Sequence, residues 1–264
     1  MINVLFRILV HMDLIKIAQN IRTTILKMIC KSKSSHIGSA FSLVEIMTFI
    51  YSKYMKKWDK FIFSKWHAWS LLYATLAEMG KIDKDKLIDN YCQNWQKLWW
   101  HVTLWTIEWV DATAGSLWHG LSMGIGMALS LKKNNVFVVI WDGESNEWSI
   151  REWFIFAPQK KLSNLVIILD RNKQQAMWLT KDVIRLDNLD TALDALWRNV
   201  QTIDWHKFDE IEKAFNSLSK DRPNIIIADT IKGKWVDFME DNIDFHYKTP
   251  NEEQYQSALH QINK

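Results

Sequence analysis

Val136-Phe137-Val138-Val139-Ile140-Trp141-Asp142-Gly143-Glu144 opens the stretch that decides the fold, and Leu165-Val166-Ile167-Ile168-Leu169-Asp170-Arg171-Asn172 closes it. Each begins as a short apolar run rich in β-branched residues, the pattern of a strand buried on both faces. Between them, Ser149 to Lys161 carries Ile150, Trp153, Phe154 and Ala157 at helical spacing. Strand, helix and strand make a right-handed βαβ unit with parallel strands. Their carboxyl ends lie side by side, and ligands of open α/β sheets sit in the crevice outside them.

Asp142 and Asn172 would then reach one crevice from adjacent strand ends. A carboxylate and an amide are hard oxygen donors that suit Mg²⁺ or Ca²⁺, with phosphate oxygens completing the shell. Gly143 would let the backbone approach such a phosphate. The alternative is a polar turn whose aspartate caps the next helix, and spacing alone leaves both readings open.

The same alternation extends outward. Asp13 to Lys31 predicts an amphipathic helix, and Ser42 is expected to cap another from Leu43 to Tyr54, with Glu45 completing a capping box. Gly115 to Leu131 reads as a tight turn and a helix whose Gly120, Gly124, Gly126 and Ala128 allow close packing. Strands are expected at Asn199–Ile203 and Asn224–Thr230, and helices at Lys207–Ser219 and Asn251–Ile262. The whole predicts an α/β fold, a doubly wound, mostly parallel sheet with helices on both faces.

A chain of 264 residues with 48% hydrophobic content can bury a large core. A single domain is expected over residues 13–264, with 1–12 as an N-terminal extension and Met12 as an alternative start. Met1 to Val10 is too short to span a bilayer and lacks a cleavage pattern. A net charge of +3, scattered along the chain, gives no reason to expect nucleic acid or a membrane surface. Cys30 and Cys92 lie outside any metal-ligand spacing, as expected of a reduced cytoplasmic protein.

Several blocks in one order carry a resemblance. They are Ser34-Ser35-His36-Ile37-Gly38-Ser39, Phe63-Ser64-Lys65-Trp66-His67-Ala68, Gly115-Ser116-Leu117-Trp118-His119-Gly120, Asp142-Gly143-Glu144 through Asn172, Thr230-Ile231-Lys232-Gly233-Lys234-Trp235 and Phe238-Met239-Glu240. Over about residues 14 to 260 the chain resembles the thiamine-diphosphate-binding domain of transketolases. The resemblance implies that Asp142, Asn172 and the backbone carbonyl of Gln174 hold the metal. It places His67, Gly115, Leu117, Asp142, Gly143, Glu144, Asn172 and His246 along the cofactor. It assigns His36, His67, His101 and His246 to substrate hydroxyls and proton transfer, and Glu147 and Glu152 to a carboxylate chain at a subunit interface. Carboxylates in a first helical turn also simply complement the helix dipole.

The implied activity is transfer of a two-carbon ketol unit from a ketose phosphate to an aldose phosphate, as in the pentose phosphate pathway, with thiamine diphosphate carrying the chemistry. In this family the glutamate that activates the aminopyrimidine belongs to a second, pyrimidine-binding domain. The chain therefore resembles the N-terminal subunit of a split transketolase. It is expected to work only with a C-terminal subunit, as a heterotetramer. The alternatives are a cofactor-binding subunit of the 2-oxo-acid dehydrogenase type and a non-catalytic remnant.

One departure runs through these blocks. Trp66, Trp118, Trp141, Trp148 and Trp235 stand where the family pattern has glycine, in a chain of sixteen tryptophans and eight glycines. Glycine ordinarily makes up ~7% of a protein, and pooling the two residues restores an ordinary content. An indole buries ~150–250 Å² and carries an N–H that needs a partner. The expectation is that such positions are glycine in the living protein, encoded by UGA and read there as glycine. Some should then show φ > 0, which is natural for glycine alone. If the tryptophans are genuine, the remnant reading gains.

Overall fold

The computed structural model describes residues 2–93, 103–104, 107–197 and 199–264. The chain opens with α1 (Ile2–Ser32), followed by α2 (Ile37–Phe41) and α3 (Val44–Phe49). β1 (Lys60–Phe63), α4 (Trp69–Glu78) and α5 (Lys84–Asn90) come next, then α6 (His119–Ser130) and β2 (Val136–Trp141). α7 (Asp142–Ser145) and α8 (Trp148–Gln159) lead into β3 (Leu165–Arg171). A small hairpin of β4 (Gln174–Gln175) and β5 (Trp178–Leu179) precedes α9 (Thr180–Val183) and α10 (Leu189–Trp197). β6 (Val200–Asp204), α11 (Phe208–Asn216), β7 (Asn224–Asp229) and α12 (Glu252–Ile262) complete it.

Five strands form one sheet in the order β1-β2-β3-β7-β6, and every neighbouring pair is parallel. Side chains alternate between its faces as strand geometry requires. Phe137, Val139, Val166, Ile168, Ile226 and Ala228 face the core built with α1, α3, α4 and α11. Val138, Ile140, Leu165, Ile167, Leu169 and Ile227 face the other, built with α6, α8 and α10. Both faces are covered, so the central strands read as unbroken apolar runs. α6 lies close on the sheet because a Cβ at Gly124 would fall 2.3 Å from the Val138 side chain. Gly126 is exposed and has nothing near it, so the expected close packing stops short of that residue.

Two other expectations change. The first helix runs without a break from Ile2, since neither proline nor glycine interrupts it. Ser42 caps nothing: α3 begins after Leu43 with no side-chain cap, and the Ser42 hydroxyl donates to Asp170 (2.9 Å) and to the Ser39 carbonyl (3.0 Å). Nor does Glu45 complete a box, because its carboxylate is taken by the Arg22 guanidinium at 2.7 Å and 2.9 Å. α3 passes at Ile50 into a wider π-type turn ending at Tyr54. Among the described residues, no helix is long and apolar enough to cross a membrane.

Candidate active site

The register sets Trp141 beside Asp170, and Asp170 beside Ala228. The segments leaving β1, β2, β3 and β7 therefore emerge together, and they bring Ser64-Lys65, Asp142, Asn172 and Thr230–Lys232 to one end of the sheet. Asp142, Asn172 and Gln174 line a single cavity of about 610 Å³, together with Thr180, Thr230 and Asp241. The Thr180 hydroxyl donates to Asp142 Oδ2 at 3.0 Å. The Gln174 N–H donates to Asn172 Oδ1 at 3.0 Å, and the Asn172 amide donates to Asp170 at 3.3 Å. Asp142 is wholly buried, and its Oδ1 has no hydrogen-bond partner, nor have Gln174 Oε1 and Ser39 Oγ. Burial, with the Asp170 carboxylate adding to it, pushes Asp142 up to about 7. A buried carboxylate with an idle oxygen beside an amide is a donor set that fits a hard divalent cation.

Asp170 organises the floor. It accepts from the buried Lys65 ammonium, the Thr230 hydroxyl and the Ser42 hydroxyl. Lys65 also donates to the Ser39 carbonyl (2.8 Å) and the Ser42 hydroxyl (2.9 Å). With neither ion exposed, removing one would leave the other uncompensated, at a cost of ~3–5 kcal/mol.

Three of the four expected histidines meet above this floor. His36 and His246 have ring centroids 4.8 Å apart, His67 and His246 5.3 Å, and His36 and His67 5.6 Å. His36 starts α2 in the left-handed region with φ 73°, and its N–H donates to the His246 carbonyl at 3.0 Å. The turn after β7 delivers His246. Gly233, at φ 79°, permits that turn, because a Cβ there would stand 2.2 Å from the Met239 carbonyl oxygen. Lys232 Nζ lies 3.0 Å from His246 Nδ1. Burial, with Lys65 adding to it, brings Lys232 down to about 7. Burial and then the Lys232 charge hold His246 at about 2, and burial followed by Lys65 keeps His67 well below its ordinary value. Both imidazoles are neutral near pH 7, and each has one donor and one acceptor nitrogen.

His101 is outside the described residues. Gly115 and Leu117 are half-buried on the turn before α6. Glu144 is buried, accepts from the Ser64 hydroxyl and, at 3.4 Å, from the Trp118 N–H, and so ties that turn to the end of β1. Burial pushes it up to about 7. Glu147 and Glu152, half-buried and exposed respectively, lie at the start of α8. Lys65, Asp170, Lys232 and Ser39 join the site although the sequence pattern does not single them out. Ser39, Lys65 and Lys232 lie inside motif blocks, and Asp170 closes an apolar run, so a signal is present for each.

One residue does not fit the cation and phosphate reading. The Trp141 indole is buried with its ring 4.6 Å from that of His67, and its ring atoms would stand 2.7 Å from a Cβ on Gly143. It covers the backbone a phosphate would need, and its Nε1 has no partner.

Residues 14–260 match the family model described as transketolase, thiamine diphosphate binding domain. The chain is 31% identical over 258 residues to one of the subunits of the apulose-4-phosphate transketolase of Phocaeicola vulgatus, covering 92% of this chain and 91% of that one. It is 32% identical over 269 residues to the 6-deoxy-6-sulfo-D-fructose transketolase subunit SqwG of a Clostridium species, covering 96% and 98%. Among solved structures, the transketolase of Campylobacter jejuni superposes with a TM-score of 0.87 at 25% identity, covering 95% of this chain and 42% of that one. The Leishmania mexicana transketolase gives 0.88 at 19% identity, and this chain spans 41% of its length.

Proposed function

Because this chain belongs to the transketolase family, by its thiamine-diphosphate-binding domain, we propose that it is the N-terminal, cofactor-anchoring subunit of a split transketolase. One observation carries the reading. A cavity at the strand ends is lined by the Asp142, Asn172 and Gln174 donors and three histidines cluster beside it at the same end of the sheet, in a chain that aligns over most of its length with proteins named as transketolase subunits.

Asp142, Asn172 and the Gln174 backbone carbonyl would hold a divalent cation, Mg²⁺ or Ca²⁺, against the diphosphate. Gly115, Leu117 and Gly143 would border the cofactor, and Lys232 would set its charge toward the same anionic end. Bound thiamine diphosphate supplies the nucleophilic carbon and the electron sink needed to cleave and remake a carbon–carbon bond next to a carbonyl. The chain's own work is positioning and proton handling. His36, His67 and His246 are close enough to engage neighbouring hydroxyls of one polyol, and His101 is assigned with them by its place in the sequence. Lys232 would fix the His246 tautomer by donating to Nδ1, which leaves the proton on Nε2. Neutral imidazoles in this role accept from and donate to hydroxyls near pH 7.

The partner would be a C-terminal subunit carrying the pyrimidine-binding domain and the activating glutamate. Glu147 and Glu152 of α8 would face it in a cytoplasmic heterotetramer. Residues 13–264 would act as one domain, with 1–12 as an extension. The substrates would be a ketose phosphate and an aldose phosphate, or sugars of related chemistry. The relatives are named for apulose-4-phosphate and a sulfo-fructose, which lie outside the usual pentose phosphate set.

The test is to purify the chain alone and co-expressed with the product of a neighbouring reading frame, and to follow ketol transfer from ketose phosphates with 2-oxo acids as controls. Transfer should require both polypeptides, the cofactor and the cation. Full activity from this chain alone, or turnover of 2-oxo acids only, would reject the assignment.

A further inference from the structure

We infer that the protein made in its native cell carries glycine at positions 69, 118, 141, 205 and 235, and that the cofactor cradle takes its shape from glycine at 141. Two kinds of observation converge on the five glycines, neither depending on the proposed activity, while the cradle at 141 rests on that activity.

The first is backbone conformation. Trp118 has φ 86° and Trp235 φ 82°, close to the 79° of Gly233 and the 69° of Gly80. A bulky side chain is an outlier in this region, whereas glycine enters it freely. Trp118 stands at the start of α6, where its N–H meets Glu144, and Trp235 stands in the turn that delivers His246.

The second is the fate of the indole N–H. Trp69, Trp141 and Trp205 are the buried tryptophans among the described residues, at 2%, 7% and 0% exposure, and all three Nε1 atoms lack a hydrogen-bond partner. Buried tryptophan usually finds a partner, so three failures out of three point to side chains that do not belong to these sites. Trp235 differs in that its Nε1 donates to Glu45 at 3.0 Å, and there the backbone alone carries the inference. Trp148 is 78% exposed and helical, so the structure adds nothing to the sequence pattern at that position.

Position 141 has the largest functional consequence. The indole lies between the His67 ring and the Gly143 backbone. Glycine there would open the path from the histidines to the Asp142 end of the cavity, and that path would take the diphosphate of the cofactor. Reading UGA as glycine accounts for all five positions with a single cause, and for a chain with sixteen tryptophans and eight glycines.

Peptide masses of the protein isolated from its source organism decide the matter. Each peptide spanning 69, 118, 141, 205 or 235 should be lighter by the difference between a tryptophan and a glycine residue. Tryptophan at any of the five overturns the inference as stated. A recombinant pair gives a second readout: the all-glycine chain should melt at a higher temperature than the chain with five tryptophans, and an equal or lower melting temperature counts against it. Calorimetry with thiamine diphosphate and Mg²⁺ on the same pair tests the proposed function separately. Glycine masses without cofactor binding would leave the five glycines standing and overturn both the cradle at 141 and that function.

Discussion

Asp142 combines complete burial, an idle oxygen and a carboxyl pushed up to about 7. In a folded core such a group is a liability unless a cation balances it. Asp142→Asn removes the charge and keeps the shape, so the fold should survive. Cation-dependent cofactor binding should weaken roughly a hundredfold or more, at least the loss seen for lesser changes around metal sites. Titration calorimetry with and without Mg²⁺ measures this, and an unchanged affinity would remove Asp142 from the ligand set. Lys232 offers a readout independent of turnover. Its ammonium contributes to holding the His246 imidazole neutral, after burial. Lys232→Gln should therefore raise the His246 pKa, visible as a shifted NMR titration, and a curve that does not move would break the proposed coupling.

The loop after β7 depends on a brace from three other segments. Arg22 of α1 pairs with Glu45 of α3, and His206, following β6, lies 3.3 Å from Glu45 through Nδ1. His206 Nε2 accepts from the Ile231 N–H at 2.9 Å, next to Lys232. Burial alone would push the Glu45 carboxyl up, but Arg22 and then His206 outweigh it and hold it at about 2. Because this folded value lies below the ~4.3 of an unfolded chain, the pair stabilises fully above that value. The contribution, about 3 kcal/mol at ~1.4 kcal/mol per pKa unit, is lost as pH falls from ~4.3 toward 2. Glu45→Gln strands a buried guanidinium and should cost ~3–5 kcal/mol at pH 7. The gap to the parent protein should narrow in denaturant titrations as pH drops through that window, and a gap constant with pH would show that the charge is not what matters. This brace also marks the limit of what the sequence discloses. β2, α8 and β3 are legible because periodicity and turn chemistry are local. Ser42 looks like a cap in sequence because its hydroxyl partner, Asp170, is 128 residues away, and Glu45 looks like half of a capping box because nothing local shows that Arg22 claims it. The strand-end aspartate and asparagine can be located from the pattern, but that Lys65 pairs with Asp170, 105 residues away, is fixed only by the sheet order.

The parts of the candidate site that do not converge in one chain point outward. Glu147, Trp148, Glu152 and Ile155 lie on or beside α8, where Trp148 is 78% and Ile155 53% exposed. Between α8 and α10, Ile155, Phe154, Leu189, Leu193 and Leu196 line a second cavity, of about 710 Å³. The histidines and the cation donors occupy one end of the sheet, and α8 leaves that end from Glu147 with large exposed apolar groups on its surface. An exposed apolar surface beside charged groups is what an interface between polypeptides would bury. If α8 meets the partner, Ile155→Asp should abolish co-purification of the two polypeptides, since a buried, unpaired carboxylate at an interface centre costs several kcal/mol. The same change leaves a residue already half in water, so the melting temperature of the isolated chain should stay within about a degree or two, as for most surface substitutions. Size-exclusion chromatography with light scattering on the co-expressed pair gives the first result and thermal unfolding of the single chain gives the second. A complex that forms normally with aspartate at 155 would move the contact off this helix and would separate Glu147 and Glu152 from any shared carboxylate chain.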